Sequence, residues 1–138
     1  MTAWSGHLPM YSRRFAVLDL AQQLVFERYR TPENAGSLKN PGLTADGANA
    51  FCGDEVHIEV ALDAAGRVTE LRHQCRACAI CTAAADLLPE LALGRTLNDL
   101  QHISVDSVAS QLGIPLSPTR LKCALLPLET LRGASLET

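Results

Sequence analysis

The chain predicts an α+β fold, and three observations lead there. Residues Glu55 to Leu62 alternate apolar and polar side chains, and Asp63-Ala64-Ala65-Gly66 turns the chain into a second extended run, Arg67 to His73. Ahead of this hairpin, Leu18, Ala21, Val25 and Tyr29 recur at helical spacing. Behind it, from Cys78 onward, the pattern is helical to Arg132.

Taken in order, residues 1–13 carry little periodicity and read as a loose N-terminal arm, which leaves 14–138 as one domain. Arg14 to Tyr29 forms the first helix, with Arg, Asp, Gln and Glu between its apolar positions. Pro32 ends it, because the residue before a proline is pushed out of the α region. The segment to Ala50 is rich in Gly, Asn and Pro and holds at most a short strand near Leu43–Ala45. In the hairpin, Val56, Ile58, Val60 and Leu62 share the face turned to a core, and Gly66 supplies positive φ at the turn. A helix then follows Cys78 to Leu93, with Gly94 as its cap. A second helical pattern spans Leu97 to Leu112, and a third runs from Pro118 to Arg132 with Gly133 after it. Pro89 and Pro127 fall inside helices and predict a kink or break at each, since the ring opposes the carbonyls of Ala85 and Cys123.

Composition narrows the function classes. The 138 residues are 47% hydrophobic, enough for a packed core, and the net charge of −3 gives no electrostatic reason to expect nucleic acid or an anionic membrane. No apolar run is long enough to span a bilayer. Met1 to Arg14 has its two arginines at the end and no apolar stretch between, unlike a secretory signal. Five cysteines without export point to reduced thiols in the cytoplasm.

Those cysteines carry the chemistry. Cys52 opens Cys52-Gly53-Asp54, Cys78 is the centre of Cys75-x-x-Cys78-x-x-Cys81, and Cys123 stands near the start of the last helix. Three thiolates with one oxygen or nitrogen donor suit zinc or an iron–sulfur cluster. Asp54 is a natural fourth donor, because Gly53 lets the backbone turn its side chain toward that of Cys52. Cys78 sits where strand gives way to helix, so backbone amides favour its thiolate, and Cys123, placed in the first turn of the last helix, gains the same benefit. His57 lies on the polar strand face and reads as solvent-exposed, whereas His73, five residues before Cys78, is an auxiliary ligand candidate. Lys122 cannot ligate while protonated; beside thiolates it offsets charge or stabilises a persulfide. A ferredoxin pattern would continue to a fourth cysteine and proline, but Thr82-Ala83-Ala84-Ala85-Asp86 follows instead. No second Cys-x-x-Cys pair stands at finger spacing either.

Several segments together resemble the IscU/SufU/NifU N-terminal family of iron–sulfur cluster assembly scaffolds. Tyr29-Arg30-Thr31-Pro32-Glu33-Asn34-Ala35-Gly36 resembles its Tyr-x-x-Pro-x-Asn-x-Gly segment, and Phe51-Cys52-Gly53-Asp54 its Cys-Gly-Asp loop. Ala77-Cys78-Ala79-Ile80 resembles the second cysteine before a Ser/Ala-rich helix. Gly94-Arg95-Thr96-Leu97 resembles the Gly-Lys-x-Leu that closes that helix, and Arg120-Leu121-Lys122-Cys123-Ala124 the third cysteine and its flank.

The resemblance covers roughly residues 14 to 132 and implies a small antiparallel, three-stranded sheet with helices packed mainly on one face. It also implies a scaffold rather than an enzyme, which receives sulfur from a cysteine desulfurase, builds a labile [2Fe-2S]-type cluster and passes it to apo iron–sulfur proteins. Cys52, Asp54, Cys78 and Cys123 would be the ligands, Cys78 and Cys123 the sulfur-accepting thiols, and Asp54 the hard ligand that keeps the cluster labile. The alternative is a zinc-bound, sulfurtransferase-like acceptor of persulfide. Lys122 favours it, standing where the IscU type has His and as the SufU type does. The interval 123 − 78 = 45 disfavours it, being too short for the SufU insertion. Leu116-Ser117-Pro118-Thr119-Arg120 departs from the Leu-Pro-Pro-Val-Lys that a dedicated Hsp70 chaperone reads, so that partner is not implied. Cys75 and Cys81 are extras to the family pattern: auxiliary ligands, disulfide partners or core residues.

Overall fold

Three antiparallel strands lie in the order β1-β2-β3, with β1 Leu43–Asn49, β2 Asp54–Leu62 and β3 Val68–Arg76. The computed structural model describes residues 10–136, and the side chains of 19–135. Around the sheet run α1 Met10–Arg30, α2 Ala79–Ala92, α3 Leu97–Leu100, α4 Val105–Leu112 and α5 Pro118–Leu136. Val56, Ile58 and Val60 of β2 are buried, as are Leu43 and Ala45 of β1 and Leu71 of β3. Helix α5 packs on β1 and β2 and against α2, α2 packs on β3, and α1 docks on α2. Burying that many branched side chains on one sheet face, at about 1.5–3 kcal/mol each, is what holds the two layers together.

The hairpin forms as expected, with Asp63 Oδ1 accepting the Ala65 and Arg67 amides at 2.9 Å. Both strands overrun the expected ends: β1 reaches Asn49 and β3 reaches Arg76, so Cys75 is a strand residue. Helix α1 starts at Met10 and so overlaps the expected arm; residues 1–9 lie outside the described part.

Three helix expectations are corrected. Residues 97–112 form two helices, because Thr96 caps α3 by a capping box and Ser104 opens α4 by accepting the Ser107 amide. Of the kink or break expected at Pro89 and Pro127, the break does not occur: each helix continues through its proline. Each removes one backbone bond, at a cost of about 3 kcal/mol, but Pro127 is fully buried and α2 is buried continuously from Cys81 to Pro89. Gly133 lies inside α5, not after it, so it caps nothing.

One close approach fixes how α5 meets the sheet. Gly47 of β1 faces Thr130 of α5, and a Cβ built at Gly47 would overlap Thr130 Oγ1 and come within 3.0 Å of Thr130 Cβ. That hydroxyl is already held by the Leu126 carbonyl at 2.7 Å. Gly47→Ala is therefore expected to cost about 1–3 kcal/mol as overpacking, with Thr130→Ala recovering part of it. Urea midpoints of the two single variants and the double would show this; strict additivity would refute the contact.

The outer face of the sheet is polar. There His57 bonds Asp46 at 2.8 Å and Glu59 at 2.9 Å, so it is half-buried in an acidic pair rather than free in solvent. Glu59 first, then Asp46, raises the His57 pKa above its ordinary value. A raised folded-state pKa means the stabilisation is fully present below about pH 6.5 and fades as pH rises through the folded value. The stability advantage of wild type over His57→Gln is expected to shrink as pH rises above about 6.5; a pH-independent difference in denaturation midpoint would contradict this.

Candidate metal centre

The β1–β2 turn builds the first part of the site. Gly53 takes φ 70° and donates to the Asn49 carbonyl at 2.9 Å, while Asn49 Oδ1 accepts the Phe51 amide at 3.0 Å. This left-handed step, which glycine takes without strain, leaves Cys52 exposed and turns Asp54 inward at the first position of β2, where it is 3% exposed. From the other side α5 brings Cys123, buried, with its sulfur 3.4 Å from that of Cys52. The ligand atoms of Cys52, Asp54 and Cys123 all lie within 4.8 Å of one another. Two soft sulfurs and a hard oxygen this close fit the donor set and spacing of a tetrahedral metal centre.

Cys78 is the N-cap of α2, as expected, and its sulfur accepts the Cys81 amide at 3.4 Å. It meets the group through Asp54: Oδ1 accepts the Cys78 amide at 3.0 Å, and the Cys78 thiol faces Oδ2 at 3.7 Å. Cys78 stands outside the tight three-residue group. Asp54 thus bridges the β1–β2 turn and the start of α2. Cys123 corrects the expectation: as the sixth residue of α5 it sits in the second turn, where its amide is inside the helical ladder. The free amides at that helix start serve Ser117, whose Oγ accepts the Arg120 N–H at 3.2 Å. Burial first, then the hydrogen bond with Cys52 and the nearby Cys78, pushes the Cys123 thiol upward.

These four residues line a cleft of about 490 Å³ whose other walls include Val25, Phe26, Ile80, Ile114 and Arg120. Arg120 is the cation in that wall, while Lys122 is exposed on α5 and outside the lining. Sequence reading passed over Arg120, although its i, i+3 spacing to Cys123 places both on one helical face. Phe26 and Ile114 carried no signal beyond being apolar.

The remaining candidates lie elsewhere. His73 is 1% exposed, with Nε2 2.9 Å from Asp86 Oδ1. Cys81 is wholly buried in the core, and burial raises its thiol pKa above the ordinary range. Cys75 is half-buried on β3, its sulfur 3.5 Å from His73 Nδ1. Phe51, next to Cys52, is 96% exposed.

Among the described residues no helix is long and apolar enough to cross a membrane. The family model for the NifU-like N terminal domain matches residues 20–136. The bifunctional protein NifU/MnmA of Rubrobacter xylanophilus is 36% identical over 110 residues, covering 80% of this chain but only 22% of that protein's length. The iron-sulfur cluster assembly scaffold protein IscU of Escherichia coli is 27% identical over 114 residues, covering 80% of this chain and 87% of that protein. Among solved structures, the putative scaffold protein for the SUF system of Fervidobacterium islandicum superposes with a TM-score of 0.66 at 22% identity, covering 82% of this chain and 94% of that one. The N-terminal NifU-like protein of Brucella abortus does so with 0.62 at 19%, covering 83% and 92%. These two share the overall fold of this chain. With the family model spanning nearly all of the described residues, the chain belongs to the NifU-like N-terminal domain family.

Proposed function

We propose that the chain is a scaffold for iron–sulfur cluster assembly. On this reading it receives sulfur from a cysteine desulfurase, holds a [2Fe-2S]-type cluster as cargo on Cys52, Asp54, Cys78 and Cys123, and hands it to apo iron–sulfur proteins. The observation that carries the proposal is the meeting of Cys52, Asp54 and Cys123 in one cleft with Cys78 at its edge. Relatives named as cluster assembly scaffolds support it. Cys78 and Cys123 are the sulfur-accepting thiols, and all five cysteines are free, which suits the reducing cytoplasm. Arg120 offsets the charge that thiolates, a carboxylate and sulfide bring together.

Anaerobic reconstitution with ferrous iron and sulfide tests this. A visible chromophore with matching iron and sulfide per chain is the expected result. Asp54→Ala is expected to keep the chromophore but slow its transfer to an apo-ferredoxin, because a hard oxygen donor holds iron–sulfide less firmly than a thiolate. Transfer at the wild-type rate would contradict that role. The compactness of the Cys52–Asp54–Cys123 group also favours a second reading, in which the resident metal is zinc and Cys78 or Cys123 accepts persulfide. Tightly held zinc that iron does not displace, without a chromophore, would decide for it.

A further inference from the structure

A second thiol stands apart from the metal centre in a setting made for covalent chemistry. On β3, His73 and Cys75 occupy alternate positions, so their side chains leave the same face of the strand. The ring of His73 is clamped at its far end by Asp86, and that carboxylate is itself fixed by the Asn34 amide at 2.8 Å and by Arg28 and the Glu33 amide at 3.4 Å. A carboxylate accepts only, so the His73 proton resides on Nε2, and Nδ1 presents its lone pair toward the Cys75 thiol 3.5 Å away. Sulfur, imidazole and buried carboxylate form a chain in which one residue accepts the thiol proton and the next steadies the resulting cation. Cys75 opens onto a cleft of about 470 Å³ lined also by Tyr29, Pro32, Gly36, Ala77 and Thr82, none of them ligands of the metal centre.

We propose that Cys75, His73 and Asp86 form a second sulfur-accepting site, at which Cys75 takes the outer sulfur of a persulfide with His73 as general base and Asp86 as positioning residue. The proposal rests on the sulfur-receiving role assigned above. In the step, Cys75 gives its proton to His73 Nδ1 and its sulfur attacks the outer sulfur of R–S–SH. The old S–S bond breaks, and R–S⁻ leaves and takes the proton from Nδ1. The products are Cys75–S–SH and R–SH, with one S–S bond formed, one broken and no net oxidation. Burial first, with Asp54 and Asp86, pushes the free thiol of Cys75 up to about 12, so thiolate is scarce at neutral pH and a base is needed within the step.

The test uses the intact chain with its metal centre filled by zinc, treated with glutathione persulfide at neutral pH and read by peptide mass spectrometry. One sulfur is expected on Cys75, added at least about tenfold more slowly in His73→Gln. Failure of Cys75 to gain sulfur overturns the proposal and leaves the scaffold standing if the zinc-free chain still assembles a cluster. Sulfur on Cys75 in a chain that assembles none supports this site and removes the scaffold reading instead. Should His73→Gln not fold, His73→Asn takes its place, and sulfur added to Cys75 at the wild-type rate in that variant overturns the proposal. Nitrogen NMR of the His73 ring is expected to show the Nε2–H tautomer, weakened in Asp86→Asn; an unchanged tautomer overturns the positioning role.

Discussion

Cys123→Ser is expected to abolish the reconstituted chromophore and to weaken metal binding by at least about a hundredfold, since loss of a mere outer-sphere partner already costs about 10–100-fold. Cys123 contributes one of only two sulfurs in the tight group, 3.4 Å from Cys52, and it does so from a buried position on a packed helix. No other thiol replaces it: Cys81 is enclosed in the core and Cys75 opens onto a different cleft. Serine keeps the shape but offers a hard, protonated oxygen, so the fold should survive while the chemistry does not. Iron and sulfide content and the visible spectrum, set beside Cys81→Ser, give the comparison. Equal loading of the two variants would remove Cys123 from the centre.

Asp86→Ala is expected to cause the largest loss of stability, about 2–5 kcal/mol, because each buried donor left without its acceptor costs about 1–3 kcal/mol. Asp86 is 1% exposed and joins three elements: the segment after α1 through Asn34 and Glu33, β3 through His73, and its own helix α2. Removing it strands the Asn34 amide and the His73 ring nitrogen away from water. Against a total stability of about 5–15 kcal/mol, that is a large part of the whole. Glu90→Ala is the control, because it cuts only the exposed end of the Arg28 pairing and should cost less than about 1 kcal/mol. Similar denaturant midpoints for the two variants would refute the account.

How much of this was legible from residues alone follows physical lines. The β2–β3 hairpin was readable because alternation and the Asp63–Gly66 turn are local signals. The full length of β1 was not, since Gly47 and Asn49 have poor strand propensity and are held by pairing with Val56 and Asp54. Helix α5 passes through Pro127 because that residue is fully buried, and through the exposed Gly133 because a glycine inside a helix costs only about 1 kcal/mol. In the site, Cys52-Gly53-Asp54 and the helix-start setting of Cys78 were legible. That Asp54 would bond the Cys78 amide, or Cys123 approach Cys52, depends on contacts far apart in sequence. Asp86 was hidden for the opposite reason: one acid in an Ala-rich helix reads as a surface residue until its partners are known.

Cys52, Asp54, Cys78 and Cys123, the proposed donors, come from a turn, a strand start, a helix cap and the interior of α5, and this has a consequence for motion. A group held by all of them would tie α5 to the sheet and to α2 across a sequence separation of 71 positions from Cys52 to Cys123. Local opening of α5 would then require releasing the cargo, so occupancy raises its opening free energy according to ligand concentration and affinity. Amide hydrogen exchange in α5 should slow when the centre is filled, while exchange in the β2–β3 turn stays the same. Loading would thus be visible as altered protection at a distance from the sulfurs themselves, and a partner that loosened α5 would by the same linkage promote release.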